Sequence, residues 1–392
     1  MHLGIVTPEY PPAVHGGSGS SYRDLAEGMA ELGHKVTVVG VYSKAVLDKL
    51  PPERNVTNLR VVRFPESRAR FSYRLAGLLD RHRITRWLER EHRKTPFDIV
   101  ECSDYAGWLR FGGPKSVATV VRIRGSNFFF DHELNRAGNS FEHQLEKRCL
   151  ARASHLASVS HYAARRTLAL CNSSNRPCEV IYNAVDSKTF FPAQNIQVEP
   201  GLIVFANVLN PKKGIEQLID AMNIVAPKHP EARLAVIGHD AMKKTNGKSY
   251  VDQLRERLLP EFRARVIFTG RLDRHQGVLP YLQRAHLCCY PSHMETFGIA
   301  PLEAMAVGKP TIFSNTGPGP EIVEDGISGL LCDPFSPQDI ADKISRLLED
   351  HELATRLASN ARNRVLTTFN KTHWIGKNLK FYENCIATLN RN

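Results

Sequence analysis

The chain has 392 residues, of which 42% are hydrophobic and 23% charged, a composition typical of a soluble globular protein with two domains of about 190 residues each. No apolar run approaches the roughly 20 residues of a membrane-spanning helix, and the first residues lack the charged-then-apolar pattern of a signal peptide. The net charge of +12 comes without a recognised nucleic-acid motif, which disfavours a nucleic-acid partner, and the eight cysteines form no CxxC pair.

Scattered cysteines of this kind favour reduced thiols in a cytoplasmic protein rather than disulfides or a zinc site. The sequence therefore predicts a cytoplasmic protein without a structural metal.

The first half alternates strand and helix patterns. Helices are predicted where apolar residues recur every three or four positions, over 20–32, 139–152 and 160–170. Short apolar runs predict strands over 2–7, 35–41, 59–64, 99–102, 117–123, 155–158 and 179–182. Strands separated by helical stretches are typical of a parallel, doubly wound α/β sheet.

A basic stretch stands out within this half. Residues 60–94 hold 11 Lys/Arg against 4 Asp/Glu, a net charge of +7, with aromatic and leucine residues interleaved at helical spacing. Two interpretations remain open: a basic helix that rests on an anionic membrane surface, and a surface helix whose apolar stripe packs on its own domain.

The second half repeats the same alternation after a polar linker over 193–200. Strands are predicted over 202–208, 233–237, 265–269, 287–290, 310–314 and 329–332. Helices are predicted over 214–226, 249–258, 277–284, 300–307, 319–324, 336–349, 351–368 and 371–389. We therefore expect one Rossmann-like domain over 1–192, a second over 201–370, and a C-terminal helix within 371–392 that packs back toward the first domain.

Ligands of such sheets bind outside the carboxyl ends of the strands, so the cleft between the two domains is the expected site.

Two carboxylates eight positions apart, Glu295 and Glu303, carry the clearest chemical signal. Glu295 follows a short apolar strand, and Glu303 lies one or two turns into a helix that begins after Gly298. A helix N-terminus offers free backbone N–H groups and the positive end of a dipole, which suit a phosphate. A phosphate seat between two acceptors for hydroxyl groups fits a sugar nucleotide, although a solvated acid pair on an ordinary loop is the alternative.

Two further strand-to-helix loops have phosphate-binding features. Residues 15–20 form a glycine-rich loop before a helix, without the third glycine of the dinucleotide-binding pattern. Lys213 precedes Gly214 at the first such loop of the second half and can place a charge on a phosphate. Each of these signals is weak alone, because a flexible loop or a surface lysine has the same appearance.

Taken in order, these pieces resemble the retaining glycosyltransferases of family 4, which have the two-Rossmann GT-B fold. The resemblance covers nearly the whole chain and is strongest over 201–370. Its motifs are Gly16-Gly17, the stretch over 180–186, Lys213-Gly214, the stretch over 291–310 with its pair of glutamates, and the stretches over 321–326 and 329–334.

The resemblance implies roles for the matched residues. Glu295 would bind donor-sugar hydroxyls near the reacting carbon and Glu303 the ribose hydroxyls. The backbone N–H groups of Phe297, Gly298 and Ile299, together with Lys213, would hold the diphosphate, and Gly17 would close over the donor from the other domain. Enzymes of this family need no metal, because cations and helix dipoles stabilise the leaving diphosphate.

Two positions depart from the family pattern. Asn207 stands where the family commonly has an arginine, so one diphosphate-binding cation is missing and Lys213 carries more of that role. Arg124 stands where the family often has a histidine; it cannot act as a base, but it can support the diphosphate or hold the acceptor. Asp104 and His132 are further candidates for acceptor contacts, with a structural role as the alternative.

The sequence thus predicts a metal-independent, retaining glycosyltransferase that uses a UDP- or GDP-sugar and a glycan or lipid-linked acceptor, in polysaccharide or cell-envelope synthesis. It would have no cofactor and would lie in the cytoplasm, and the membrane interpretation of the basic stretch would place it at the membrane face. The alternatives are another GT-B enzyme, such as a phosphorylase or an epimerase, and a non-catalytic protein that binds nucleotide sugars without turnover.

Overall fold

The computed structural model describes the whole chain except residues 14–15, 52–55, 68–71, 194, 243, 245–246 and 390–392. The chain forms two compact units. The first unit comprises 1–183 together with 372–392, and the second comprises 184–371. The second unit thus takes in 184–192, which the sequence interpretation had given to the first domain.

The first unit is built on a parallel sheet, which in the described residues has seven strands in the order β3-β2-β1-β4-β5-β6-β7. Its strands are β1 (His2–Val6), β2 (Lys35–Tyr42), β3 (Leu59–Pro65), β4 (Ile99–Ser103), β5 (Ala118–Ile123), β6 (His155–Ser158) and β7 (Glu179–Val180). Its helices are α1 (Gly17–Glu31), α2 (Lys44–Leu47), α3 (Tyr73–Lys94), α4 (Asn127–Glu133), α5 (Ser140–Arg152) and α6 (His161–Leu170). Every residue of β1, β4 and β5 is buried, as expected for a parallel sheet covered on both faces.

The C-terminal helix α14 (Lys371–Leu389) contributes all its residues after Lys371 to the first unit. Arg122 on β5 is fully buried and donates two hydrogen bonds to Glu101 on β4, at 2.7 and 2.8 Å. It also donates to the side chain of Asn378 on α14 at 2.7 Å, and Tyr382 donates to Glu101 at 2.7 Å. Burial alone would raise the pKa of Glu101, but the Arg122 guanidinium more than offsets it and the pKa is lowered. Hydrogen bonds to a buried ion pair therefore link this helix to the centre of the sheet.

The second unit repeats the architecture with a parallel sheet of six strands in its described part, in the order β10-β9-β8-β11-β12-β13. Its strands are β8 (Leu202–Ala206), β9 (Arg233–Ile237), β10 (Val266–Gly270), β11 (Leu287–Tyr290), β12 (Thr311–Ser314) and β13 (Leu330–Cys332). Its helices are α7 (Ile215–Val225), α8 (Tyr250–Arg257), α9 (Leu279–Arg284), α10 (Ile299–Ala306), α11 (Gly319–Ile322), α12 (Pro337–Glu349) and α13 (His351–Thr368).

In both units the first strand lies inside the sheet and its neighbours continue in opposite directions. This reversal of strand order is the switch point at which doubly wound sheets bind ligands, outside the carboxyl ends of the strands. In the second unit the switch lies between β8 and β11, so the loops that follow these two strands are the ones that build a site.

Candidate active site

Two loops of the second unit meet at this switch point. Residues Pro211–Lys213 form a 3₁₀ turn after β8, and the carbonyl of Lys212 accepts hydrogen bonds from the backbone N–H groups of His293 and Met294, at 2.9 and 3.3 Å. Gly214 ends the turn with φ 68°, and a Cβ atom there would lie 1.7 Å from the Pro291 carbonyl oxygen. Only glycine permits this conformation and this close approach, so Gly214 allows the two loops to touch.

The contact brings Lys213 and Glu295 together as an ion pair between the lysine Nζ and the carboxylate Oε1. The two side chains are only 11% and 15% exposed. Ser292 adds a longer hydrogen bond from its hydroxyl to the same carboxylate oxygen, at 3.4 Å. Two residues that the sequence analysis selected separately therefore form one charged pair, 82 positions apart in the chain.

The start of α10 comes soon after Glu295 in the chain. Phe297 is 2% exposed and packs edge-on against Phe369 with ring centroids 6.0 Å apart, which anchors the loop in the core of the unit. Gly298 has φ 114°, and a Cβ atom on it would lie 2.8 Å from the Phe313 ring. The helix begins at Ile299, so its first N–H groups and its positive dipole end lie between Glu295 and Glu303 in the chain.

Glu303 lies in the second turn of α10 and is 8% exposed. Its carboxylate forms an ion pair with Arg274, a residue that the sequence analysis did not select. Arg274 opens a π-helical turn, Arg274–Val278, that follows β10. Its guanidinium also lies over the ring of Phe190, 5.1 Å from the centroid. Among the described residues, the site thus contains two ion pairs, Lys213 with Glu295 and Arg274 with Glu303.

Arg274 carries little signal in the sequence. The one local signal is Asp273, which caps the turn by accepting hydrogen bonds from the N–H groups of His275 and Gln276, both at 2.8 Å. That capping pattern predicts where the turn begins, but it does not predict which acidic residue the arginine reaches.

Asn207 follows β8, and its amide oxygen accepts a hydrogen bond from the next backbone N–H, that of Val208, at 2.9 Å. Its own N–H donates to Ile237 at 2.9 Å and so extends the pairing of β8 with β9. Asn207 belongs to neither ion pair in the described part of the chain.

The remaining predicted residues lie in the first unit. Arg124 follows β5, donates to the Asn183 side chain at 3.1 Å and lies over the Tyr22 ring, 4.5 Å from its centroid. Asp104 is fully buried and accepts hydrogen bonds from the N–H groups of Arg124 and Gly125, at 2.9 and 3.4 Å. Burial raises the pKa of Asp104 to about 7, although these hydrogen bonds act in the opposite direction. Asp104 therefore supports the loop that carries Arg124.

Gly17 is the first residue of α1, and its N-cap Gly16 has an extended backbone. His132 lies in α4 with its side chain 54% exposed, beside Glu133 at 3.3 Å. The structure thus brings Arg124 and Asp104 together after β5, while Gly17 begins α1 and His132 lies on α4.

The basic stretch 60–94 combines β3 and α3, except for 68–71, which includes Arg68, Arg70 and Phe71 and lies outside the described residues. Ile84 and Leu88 on α3 are fully buried in the core of the first unit. Tyr73, Leu75 and Leu79, near the start of the helix, are 60%, 52% and 47% exposed. The apolar stripe therefore packs on its own unit in the second half of the helix and faces solvent in the first half.

No described helix is both long enough and apolar enough to cross a bilayer. Within the same described residues, no group of three or more His, Cys, Asp or Glu side chains is arranged to hold a metal ion.

Comparison with known proteins assigns both halves of the chain. Residues 15–189 match the family described as Glycosyltransferase Family 4, and residues 186–364 match the family described as Glycosyl transferases group 1. An uncharacterised glycosyltransferase of Methanocaldococcus jannaschii is 25% identical to this chain, with 95% of each chain covered.

Solved structures show the same fold. Sucrose-phosphate synthase from Thermosynechococcus elongatus superposes with a TM-score of 0.82 at 22% identity, covering 99% of this chain and 100% of that one. The Anabaena protein HepE, in complex with UDP and glucose, superposes with a TM-score of 0.74 at 18% identity, covering 98% and 100%. Two parallel Rossmann-like units with this likeness have the GT-B fold. The chain belongs to the family 4-type glycosyltransferases.

Proposed function

We propose that the chain transfers a sugar from a nucleotide-diphosphate sugar to a glycan or lipid-linked acceptor, with retention of the anomeric configuration. The observation that carries this proposal is the Lys213–Glu295 ion pair, placed directly before the N-terminus of α10. One cation and a row of backbone N–H groups suit a diphosphate, and the flanking carboxylates suit sugar and ribose hydroxyls. We propose a UDP- or GDP-sugar as donor, and the likeness to HepE, which was solved with UDP, supports UDP.

The chemistry follows from where charge develops. When the bond between the sugar and the diphosphate breaks, negative charge grows on the leaving oxygen, and fixed donors that already point at that position stabilise it. Lys213 and the N–H groups of Phe297, Gly298 and Ile299 would supply these donors. Because they provide the positive charge, the proposed reaction uses no metal ion and no cofactor.

Glu295 has a second role in this proposal. The ion pair holds its carboxylate in a fixed position, where it can accept hydrogen bonds from donor-sugar hydroxyls. Glu303, held by Arg274, would accept from the ribose hydroxyls. Arg124, in the first unit, remains a candidate for contact with the diphosphate or the acceptor, and Asp104 would act on it by shaping its loop.

We also propose that the enzyme works in the cytoplasm at an anionic membrane surface, in polysaccharide or cell-envelope synthesis. A cavity of about 430 Å³ in the first unit is lined by Phe64, His82, Arg83, Arg86, Trp87 and Arg90. Basic side chains around aromatic rings, next to the exposed Leu75 and Leu79, suit the interface of an anionic bilayer.

A vesicle assay tests the membrane part of the proposal. The double variant Arg86→Glu/Arg90→Glu should lose sedimentation with phosphatidylglycerol vesicles at low salt, whereas Arg346→Glu/Lys343→Glu on α12 should retain it. Equal binding by both double variants would contradict a membrane role for α3.

The donor proposal is tested by a thermal-shift screen against UDP-, GDP-, ADP- and TDP-sugars, repeated with Glu303→Ala. Stabilisation by one nucleotide series, lost in the variant, would support the donor class and the ribose site. A shift with none of them would favour the non-catalytic alternative. Once a donor and an acceptor are found, the anomeric proton coupling of the product tests retention directly by NMR.

A further inference from the structure

A second cavity, of about 610 Å³, lies at the carboxyl edge of the sheet in the first unit. It is bounded by the ends of β2 and β3, the turn that follows β4, and the first turns of α3. The side chains that matter for its chemistry are Glu66, Tyr73, Asp80, Arg81, Tyr105 and Trp108. None of them has a role in the donor site described above.

Two of these side chains form the buried wall of the cavity. Trp108 is 8% exposed, and its indole N–H has no hydrogen-bond partner within the part of the chain that the structure describes. The Arg81 guanidinium, also 8% exposed, lies over the indole ring, 5.0 Å from its centroid. The indole N–H is closed off from solvent, so Trp108 serves the cavity as an apolar wall.

The turn beside this wall has an unusual backbone. Ala106 has φ 62° and ψ −2°, the left-handed region that residues other than glycine rarely adopt. Its N–H donates to Glu146 at 2.9 Å, and its carbonyl accepts from Nε of Arg81 at 2.8 Å. Such a conformation persists only where the surroundings hold it, and it is concentrated at sites that bind or react. The turn is held so that Tyr105 and Trp108 both line the cavity.

The rim carries aromatic rings. Tyr105 is 40% exposed, and Tyr73 is 60% exposed with its hydroxyl fixed by a hydrogen bond donated to Glu142 at 2.9 Å. Rings presented in this way can stack against the C–H face of a pyranose, at little cost in side-chain entropy.

The charges on the walls decide between ligand classes. Glu66 and Asp80 outnumber Arg81, and Asp80 keeps its charge compensated through a hydrogen bond from Arg83 at 2.8 Å. With Arg83 counted, these charges balance, so they offer no excess of positive charge to hold an anionic group. An alkyl chain would take water from the charged groups of the lining and give them no hydrogen bonds in return. A neutral polyol with one apolar face can hydrogen-bond to these groups and still pack against the aromatic rings.

We infer that this cavity binds an uncharged sugar residue of the acceptor, with its ring against Tyr105 and its hydroxyls hydrogen-bonded to Glu66 and Asp80. The inference rests on the proposed transfer to a glycan and specifies which part of the acceptor the first unit recognises. It places acceptor recognition on α3 and on the turn after β4 rather than on His132, which does not line this cavity.

Fluorine NMR of the full chain labelled with 5-fluorotryptophan tests this inference. The chain has three tryptophans, so three resonances are expected, and Trp108→Phe identifies the one that matters. The probes are the methyl α-glycosides of glucose, mannose and N-acetylglucosamine, with glucose 6-phosphate as the charged comparison. At least one neutral glycoside should shift the Trp108 resonance saturably, while the resonances of Trp87 and Trp374 stay in place.

Two variants separate stacking from other effects. Tyr105→Ala should weaken the binding of that glycoside by about tenfold, and Tyr105→Phe, which keeps the ring, should stay within about threefold. An unchanged Trp374 resonance verifies that each variant is folded. The inference is overturned if no glycoside shifts the Trp108 resonance, if only glucose 6-phosphate does, or if Tyr105→Ala binds as tightly as the parent chain.

Two measurements on the same protein distinguish a failure of this inference from a failure of the proposed function. Nucleotide-induced thermal stabilisation reports on the second unit, and the Trp108 resonance reports on the first. A Trp108 shift without any nucleotide stabilisation would support the sugar site and contradict the donor proposal. Nucleotide stabilisation without a Trp108 shift would overturn the sugar site and leave the donor proposal standing.

Discussion

Replacement of Lys213 by methionine provides the sharpest test of the donor site, because it removes one charge and keeps most of the side-chain volume. Lys213 is 11% exposed and paired with Glu295, so the variant leaves a mostly buried carboxylate without its cation. The proposal assigns Lys213 to the diphosphate of the donor. We therefore expect the variant to bind UDP more weakly and to bind uridine, which has no phosphate, with unchanged affinity.

The size of the expected loss in UDP affinity depends on the partner that Lys213 has before the donor binds and on the one it gains with the donor. A lysine and a phosphate about 4 Å apart attract each other by about 4 kcal/mol at an effective dielectric constant of about 20. Lys213 already has a partner before the donor binds, so only part of this attraction is gained on binding. A net contribution of about 1.4–2.7 kcal/mol corresponds to a rise in the dissociation constant of UDP of about tenfold to a hundredfold.

Stability should fall as well. Breaking a fully buried ion pair costs about 3–5 kcal/mol, and the partial exposure of this pair with its extra bond from Ser292 reduces that to about 1–3 kcal/mol. For a unit of this size the melting temperature would drop by about 2–10 °C. Binding is therefore measured by isothermal titration calorimetry well below the melting temperature, with UDP and uridine as paired ligands.

Two variants complete the comparison. Lys212→Met removes a lysine from the same turn and should bind UDP within about threefold of the parent chain. Lys213→Arg keeps the charge and should recover most of the affinity. The assignment of Lys213 to the diphosphate is refuted if Lys213→Met weakens UDP and uridine equally, or if it weakens neither.

Three further predictions concern other groups. Arg274→Ala and Glu303→Ala should each weaken uridine binding by about tenfold. The double variant should bind little worse than either single variant, because both changes break the same ion pair. Additive losses of binding free energy in calorimetry would contradict this coupling. Glu101→Gln should lower the free energy of unfolding, measured in urea titrations, by about 3–5 kcal/mol, because it leaves the buried Arg122 guanidinium uncompensated. The double variant Glu101→Leu/Arg122→Met removes both charges and should recover part of that loss. The pKa of Asp104 is about 7 in the folded state against an ordinary value of 3.8, so between these pH values the folded state keeps a proton that the unfolded state has lost. The contribution of Asp104 to stability is therefore lost as the pH rises from about 4 to about 7. Asp104→Asn should remove this part of the pH dependence of the melting temperature, and an identical pH profile in the variant would contradict the raised pKa.

The sequence predicted the fold well where a pattern is local. The strands over 155–158, 233–237 and 287–290 and the helix over 351–368 are found as predicted, because period and end signals lie within each segment. The helix α4 was missed, since Asn127–Glu133 has three adjacent phenylalanines and no amphipathic period. The helix α1 begins at Gly17 rather than at the predicted position 20, because a glycine-rich start has no side-chain cap to mark it.

The site was predicted less completely, for a different reason. Lys213, Glu295 and Glu303 lie in recognisable motifs, and a motif records which residues belong to the site. It does not record that Lys213 pairs with Glu295, because that pairing depends on the contact between the Gly214 turn and the Pro291 carbonyl. Arg274 lies in no motif and becomes part of the site only through its distance to Glu303 in space.

Arg274 changes the interpretation of the departure at Asn207. From the sequence alone, the site is short of one cation and Lys213 has to compensate. In the structure, two cations face two carboxylates, so the four charges sum to zero before a donor binds. A diphosphate adds negative charge to a neutral set, so some attraction must come from groups that carry no counter-charge, and the first N–H groups of α10 are such groups. The glycine at position 298 thus matters as much as the lysine: Gly298→Ala would strain the backbone at φ 114° and press on Phe313, and it should weaken UDP binding while every charged side chain remains in place.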